Sequence, residues 1–312
     1  MSDYDLALSV GESAAGALAA DTLAAGALAA NALTAADLRT VFNMPPAAAI
    51  AFFERKGFKI SWDWQEVWRH AHAQSFTVAK VTRLDVLTDI HHALLADLKH
   101  GGSFTAFKDK LQPLLEAKGW WGKQEQVNRQ TGEIRTVTYG TPWRLETIYE
   151  TNMQSAYMAG RYHGMMAAKQ YAPWWEYSAV MDNRTRPTHA ALNGRVFRFD
   201  DPFWDSWYPP NGFRCRCRVI PRTDIEKDRG DFQTSSGTGR MQTITQSVKK
   251  PEGKIAKVQV TGYKDPVTGK VLTPDMGFDY NPGAAGSRLQ QIYNDKLQAA
   301  PADLRDKAKK HD

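Results

Sequence analysis

Residues 181–222, which we call the signature segment, carry the side chains that could do chemistry. They include both cysteines of the 312-residue chain, Cys215 and Cys217, and an upstream His189. A thiol can bind a metal ion, or it can act as a nucleophile when a base such as histidine takes its proton. The segment also holds eight arginines against four acids. The arginines are 184, 186, 195, 198, 214, 216, 218 and 222, and the acids are 182, 200, 201 and 205.

Cationic and apolar residues alternate strictly from Phe213 to Ile220, with the period of a β-strand. One face of that strand would carry Arg214, Arg216 and Arg218, and the other would carry Phe213, Cys215, Cys217 and Val219. We therefore expect the thiols to point into a core. The guanidinium groups would face a group that requires positive charge.

The signature segment resembles the motif of the phage Mu F-type head morphogenesis proteins, which are minor head components of tailed bacteriophages. The motif consists of Asp182-x-Arg184-Thr185, His189, Asn193-Gly194, Tyr208-Pro-Pro and Cys215-Arg-Cys217. Further matches to the Mu subgroup, such as Gly119-Trp-Trp-Gly122 and Gly277-Phe-Asp-Tyr-Asn-Pro-Gly283, are spread over about residues 41–285. Matches so widely spaced are more specific than one short motif.

The resemblance also implies a four-ligand site of histidines and cysteines, of the kind that structural zinc occupies. In this chain Arg186 stands at the first ligand position and Gly212 at the upstream histidine position. The remaining candidate ligands are His189, Cys215 and Cys217. A closed zinc site needs four ligands, and an arginine at one corner would repel a cation. We therefore predict no cofactor and no metal.

Asp182 favours a structural interpretation of the same residues. Its carboxylate lies next to Arg184 in the sequence and would form a bidentate pair with Arg216, which would lock the β-rich unit onto the preceding helix. Thr185 would close the turn through its hydroxyl group. The structural signature then comprises Asp182, Arg184, Thr185, His189, Cys215, Arg216 and Cys217, with no catalytic residue.

The alternative is a zinc- or thiol-dependent enzyme. Cys215 or Cys217 would be the nucleophile, His189 the base and an arginine the oxyanion clamp. Neighbouring arginines lower the pKa of a thiol, which supports this hypothesis. However, no second base or oxyanion motif is visible, and the thiols alternate with the arginines instead of sharing their face. The pattern therefore favours a protein that is not an enzyme.

The elements around the signature segment predict an α+β fold, in which a helical N-terminal body carries a small antiparallel β-rich unit and a mobile C-terminal extension. Pro142 opens a long helix to about Lys169, whose small residues, Gly160 among them, predict a close crossing with other helices. Asn193-Gly194 predicts a hairpin between strands at 175–181 and 196–199. A last hairpin would turn around Asp265–Gly269.

The predicted organisation has four parts. Residues 1–40 form an Ala-rich low-complexity tail, and residues 41–122 form a helical domain. Residues 123–223 form a Mu F-like core, which contains the long helix and the β-rich signature. Residues 224–312 contain a linker, a short hairpin and a C-terminal helix.

The composition of the chain limits the kinds of partner that it can bind. The net charge of +6 and the pI near 9.1 are compatible with contact to DNA. Lys307, Lys309 and Lys310 are the candidate contacts to DNA or to an acidic partner. No helix-turn-helix, zinc finger or RNA-recognition motif is recognisable, so binding would be non-specific and salt-sensitive. The sequence contains no run of 18 apolar residues, so no membrane span is predicted, and no signal peptide is recognised.

The resemblance implies a role in capsid assembly. We expect a protein near the portal or inside the capsid, in contact with packaged DNA, whose partners are portal or capsid proteins. It would be made in the host cytoplasm and kept in the phage head. Neither a membrane nor a small-molecule substrate is expected.

Overall fold

The computed structural model of the chain describes residues 47–60, 75–127, 134–249 and 255–285. These residues form an α+β fold with small, mainly antiparallel sheets, as the sequence predicts. The helices are α1 (Ala47–Glu54), α2 (Leu84–His100), α3 (Phe104–Ala117), α4 (Pro142–Ala167), α5 (Pro187–Ala190), α6 (Phe203–Trp207) and α7 (Asp224–Asp228). The strands are β1 (Gly57–Phe58), β2 (Ser75–Phe76), β3 (Lys123–Val127), β4 (Ile134–Thr138), β5 (Trp174–Ser178), β6 (Val196–Arg198), β7 (Arg218–Arg222), β8 (Met241–Lys249), β9 (Ile255–Lys264) and β10 (Val271–Leu272).

Helices α1, α2 and α3 pack around a first hydrophobic core with α4, which contributes Leu145, Ala156 and Ala159. In α2 the apolar residues recur at helical spacing, and Leu87, Ile90, Leu94 and Leu98 are all buried. Helix α3 begins after Ser103, whose side chain accepts a hydrogen bond from the backbone N–H of Ala106. The helical body predicted for this part of the chain is therefore present.

Helix α4 lies between two cores. It begins with Thr141 as N-cap and Pro142 in the first turn, a combination that favours helix initiation. Leu145 and Ala159 contribute to the first core, whereas Met158 and Met165 contribute to the second. One long helix thus forms a wall of both cores.

The second core lies beneath the antiparallel sheet β6-β5-β7. Burial alternates along β5, where Trp175 and Tyr177 point inward. Their rings contact an aromatic group from α6, and Trp204 lies 5.7 Å from Trp175 between ring centroids in an edge-to-face arrangement. This aromatic packing holds the short helix α6 against the sheet.

Two predicted strand features differ from the structure. Strands β5 and β6 pair as predicted, with Trp174 opposite Arg198, but residues 179–195 connect them and include α5, so that Asn193-Gly194 is not a two-residue hairpin. The strand predicted from Phe213 begins only at Arg218. Arg214 has a φ of 58°, a left-handed conformation that ends strand geometry at this residue.

The predicted linker after residue 224 is wrong over Met241–Lys249. This segment is β8, which pairs with β9 along its whole length, from Met241 opposite Tyr263 to Lys249 opposite Ile255. The hairpin around Asp265–Gly269 is confirmed, because β9 and β10 pair on either side of it.

The Ala-rich tail and the three lysines at 307, 309 and 310 lie outside the described residues. Within the described part of the chain, no helix combines the length and the apolar character needed to cross a bilayer.

The crossing of α1 and α4 gives a first prediction. A Cβ atom added at Gly160 would lie 2.9 Å from the backbone nitrogen of Ala49, so Gly160→Ala should push the helices apart and lower the free energy of unfolding by about 1–3 kcal/mol. Gly164, one turn later, has no atom within 4 Å of the same position. Gly164→Ala should therefore leave stability unchanged or raise it by up to about 1 kcal/mol. Chemical denaturation of both variants is the measurement, and equal effects would contradict the close crossing.

Candidate functional site

The signature segment brings His189, Cys215 and Cys217 together beneath the surface. The three side chains are 2%, 4% and 3% exposed, and both cysteines are free thiols. The predicted inward direction of the thiols is confirmed, although residues 213–217 are irregular and not a strand. The hydrophobic contacts of Cys215 and Cys217 in the second core therefore fix their direction, without a β-ladder.

The imidazole ring contacts both thiols through one nitrogen. Nδ1 of His189 lies 3.8 Å from the Sγ atom of Cys215 and 3.3 Å from that of Cys217. A hydrogen bond from Cys215 lowers the pKa of Cys217, helped by Tyr177 and nearby guanidinium groups, while burial opposes this shift. The same bond, together with burial, raises the pKa of Cys215 well above its ordinary value. Cys217 is therefore the more acidic of the two thiols.

The predicted pair of Asp182 and Arg216 is present. The guanidinium group donates two hydrogen bonds of 2.8 and 2.7 Å to the two carboxylate oxygens. The carboxylate also accepts from the backbone N–H of Arg184 at 3.0 Å and from the hydroxyl of Thr185 at 3.2 Å. The Thr185 hydroxyl also contacts the Val180 carbonyl, which closes the turn as predicted.

Asp182 and Arg216 lie at the surface, with side chains 36% and 33% exposed. The hydrogen bond from Arg216 holds the pKa of Asp182 well below its ordinary value. Because the folded-state pKa is lowered, the pair stabilises the fold at neutral pH. This contribution is lost as the pH falls through the folded-state pKa.

The part of the prediction that made this pair the lock on the preceding helix is wrong. Arg214 is the residue that reaches α4, where its guanidinium nitrogens lie 2.7 Å from carboxylate oxygens of Glu146 and Glu150. The backbone N–H of Arg214 also donates to the hydroxyl of Thr151 at 3.3 Å. The left-handed backbone at Arg214 breaks the alternation of the segment, so Arg214 and Arg216 find different partners.

Two further side chains of α4 bind the backbone that follows Arg214. Gln154 donates a 2.7 Å hydrogen bond to the carbonyl of Cys217, and Arg161 donates one of 2.7 Å to the carbonyl of Val219. These contacts cannot be predicted from the sequence, because a backbone acceptor leaves no side-chain pattern. Together with the ion pairs of Arg214, they attach the end of the signature segment along about four turns of α4, from Glu146 to Arg161.

The two positions at which the resemblance implies metal ligands hold an ion pair and a glycine. Arg186 lies 2.8 Å from the carboxylate of Asp275 and donates a 3.0 Å hydrogen bond to the carbonyl of Phe213. A Cβ atom on Gly212 would overlap the Asp275 carboxylate and lie 3.1 Å from the guanidinium carbon of Arg186. Any larger residue at 212, a histidine included, would therefore collide with this pair.

The remaining donors do not form a closed zinc site. One atom each of His189, Cys215 and Cys217 lies within 4.8 Å of the others, which provides three donors. The cavity beside them, of about 20 Å³, is lined by four arginines (184, 186, 214 and 216) that disfavour a cation. Nε2 of His189 has no hydrogen-bond partner among the described residues, whereas a metal-binding histidine usually donates from its second nitrogen. That the protein holds no zinc stays a prediction.

In a comparison with known proteins, residues 88–220 match the family described as Phage Mu protein F like protein. The chain is 41% identical over 274 residues to "Putative capsid assembly protein F" of Escherichia phage Mu, and this match covers 86% of the chain and 62% of the relative. It is 35% identical over 247 residues to "Mu-like prophage FluMu F protein" of Haemophilus influenzae, which covers 77% of the chain and 58% of that relative. The chain thus spans about three fifths of the length of these curated relatives. No solved structure matches it.

The attachment to α4 gives a second prediction. Arg214→Ala removes the ion pairs with Glu146 and Glu150, and it should lower the free energy of unfolding by about 1–2 kcal/mol. Arg218 is the matched control, because it is exposed and makes no ion pair within the described residues. Arg218→Ala should change stability by less than about 0.5 kcal/mol. Equal losses in urea denaturation would show that Arg214 does not hold the segment to the helix.

The third prediction concerns the metal. After incubation with one equivalent of zinc and extensive dialysis, elemental analysis of the purified chain should find far less than one zinc per molecule. Cys215→Ser should give the same value, because no site is lost. Stoichiometric zinc that disappears in Cys215→Ser would contradict the prediction and support an open site with two thiolates and one imidazole.

Proposed function

We propose that the chain, which matches the phage Mu protein F-like family over residues 88–220, is a minor head protein that acts in the assembly of the bacteriophage capsid. The observation that carries the proposal is the 41% identity, over 86% of the chain, to a phage Mu protein named for capsid assembly. Its partners are then portal or capsid proteins, and it is kept in the phage head after assembly in the host cytoplasm. A position near the portal or inside the capsid, in contact with packaged DNA, is part of the same proposal.

The geometry of the signature segment supports a structural role. Both thiols are nearly inaccessible, and the adjoining cavity of about 20 Å³ is about the size of one water molecule. Arg186, Arg214 and Arg216 each form an ion pair with a carboxylate of the chain. A catalytic arginine would instead have to be available to bind the oxyanion of a substrate. We therefore propose that the segment fastens the β-sheet to α4 and catalyses no reaction.

One observation favours a second candidate function. His189, Cys215 and Cys217 converge within 4.8 Å, and the pKa of Cys217 is lowered by the hydrogen bond from Cys215. A zinc- or thiol-dependent enzyme would use this group of residues. Such an enzyme would need the thiols for its function, whereas a structural protein needs them only as small buried side chains.

The fourth prediction tests both candidates in the phage that encodes the chain. Deletion of its gene should prevent the formation of infectious heads, and mass spectrometry of proheads and virions should find the wild-type protein at low copy number. Complementation with the double variant Cys215→Ala/Cys217→Ala should restore infectivity to near the wild-type level. A thermal melt of the purified variant controls for folding.

Absence of the protein from both proheads and virions would contradict the proposal of a head protein. A double variant that folds and enters heads but does not restore infectivity would instead support the thiol- or zinc-dependent function. The two results are independent, since incorporation and infectivity are measured separately.

A further inference from the structure

The positive charge of the chain is concentrated in one segment. Residues 240–270 contain seven Lys or Arg and two Asp or Glu, which gives a net charge of +5, while the whole chain carries +6. One of the two acids, Asp265, is 2% exposed and lies 2.5 Å from the guanidinium group of Arg195. Its charge is therefore compensated inside the fold and does not offset the lysines at the surface.

The segment forms a long two-stranded ribbon. Strands β8 and β9 pair over nine residue pairs, from Met241–Tyr263 to Lys249–Ile255, which corresponds to roughly 27 Å. At the near end, Tyr263 is buried in the second core and Leu272 of β10 covers the same face. This end anchors the ribbon to the folded body.

Farther from Tyr263, the same face of the ribbon is open and polar. The described, exposed side chains that point from this face are Thr243, Thr245 and Ser247 of β8 with Ile255, Lys257 and Gln259 of β9. Neither strand contains an acidic residue. The Gln259 amide already donates a 3.1 Å hydrogen bond to the Thr245 hydroxyl. The face therefore offers the hydroxyl groups of Thr243 and Ser247 together with the Lys257 cation, which are groups that proteins use to contact phosphate and sugar.

Further cations lie at the anchored end of the ribbon, where Lys264, next to Tyr263 in β9, points from the opposite face. Lys264 and Lys270 are exposed and, like Lys257, make no ion pair with any described residue. Arg240 lies opposite Lys264, whose backbone N–H donates to the Arg240 carbonyl at 2.9 Å. Positive charge is thus present near both ends of the ribbon, with little competition from carboxylates.

We propose that the β8–β9 ribbon is a contact surface for double-stranded DNA, which binds the phosphate backbone without sequence preference. A two-stranded β-ribbon has the width that the major groove admits, and unpaired lysines release counterions when they reach phosphates. The inference deepens the proposed function, on which it rests for its biological setting, because it assigns the DNA contact to a defined surface.

The composition of the face favours duplex DNA over single-stranded nucleic acid and over a protein partner. Binding of single-stranded nucleic acid usually depends on aromatic side chains that stack on bases, and the six exposed side chains of this face include none. A protein interface of ordinary size would have an apolar centre. Here the exposed apolar residue of the face, Ile255, lies at the far end of the ribbon, and the other exposed residues are Thr, Ser, Gln and Lys. The favoured ligand is therefore a regular array of phosphates.

The test is a titration of the full chain with a fluorescent duplex of random sequence at several salt concentrations between about 50 and 200 mM. The triple variant Lys257→Ala/Lys264→Ala/Lys270→Ala should bind at least about tenfold more weakly at low salt, with a salt slope smaller by about three. The matched control removes the same charge elsewhere, from the exposed Lys59, Lys110 and Lys123. This control triple should keep more of the affinity and most of the salt slope.

Several results would overturn the proposal. They are no binding by the wild-type chain, equal losses in the two triples, tighter binding to a single strand than to the duplex, or salt-independent binding. A ribbon triple that binds DNA normally but no longer enters heads would identify the ribbon as a protein-binding surface instead. Failure of the DNA titration leaves the head-protein proposal standing, since that proposal depends on the presence of the chain in heads.

Discussion

Helix α4 must serve two cores at once, and this constraint governs the rest of the fold. Its residues 145–160 pack against α1, α2 and α3, and Met158 and Met165 on another side of the helix pack beneath the β6-β5-β7 sheet. The small residues Ala156, Ala159 and Gly160 let the backbone of α1 approach closely, which a larger side chain at 160 would prevent. Displacement of α4 would therefore disturb the helical body and the sheet together.

The charged residues of the signature segment satisfy this constraint on the side of the sheet. Glu146, Glu150, Gln154 and Arg161 of α4 bind a run of side chains and carbonyls between residues 214 and 219. The ion pair between Asp182 and Arg216 then connects the loop that follows β5 with the segment that precedes β7. The arginine-rich pattern thus has a structural explanation in carboxylates and carbonyls of the same chain, without an external anion.

The sequence predicts features that follow a simple period, a helix start signal or a complementary charge within one motif. The period of apolar residues in α2, the cap and proline at the start of α4, and the complementary charges of Asp182 and Arg216 could all be predicted. The role of Arg214 could not, because a non-glycine residue with positive φ has no reliable signal. Asp275 follows Arg186 by 89 positions, and such a pairing requires the tertiary fold.

Strand β8 was missed for a different reason. Thr243, Thr245 and Ser247 are exposed on one face, and Gln242 and Gln246 are half-buried on the other. This polar composition is typical of a loop, and only the pairing with β9 identifies a strand. The place of the implied metal ligands was predicted from the resemblance, but what replaces them was not. Arg186 and Asp275 form an ion pair there, and that pair requires glycine at 212.

Arg214 couples the signature segment to α4 through Glu146 and Glu150, and a double-mutant cycle measures that coupling directly. The cycle combines Arg214→Ala with the pair Glu146→Gln/Glu150→Gln, and it compares free energies of unfolding in urea. A coupling energy between about 0.5 and 2 kcal/mol is predicted, because each change removes the same interaction. Additive effects, with a coupling energy of zero within error, would show that Arg214 does not couple the signature segment to α4.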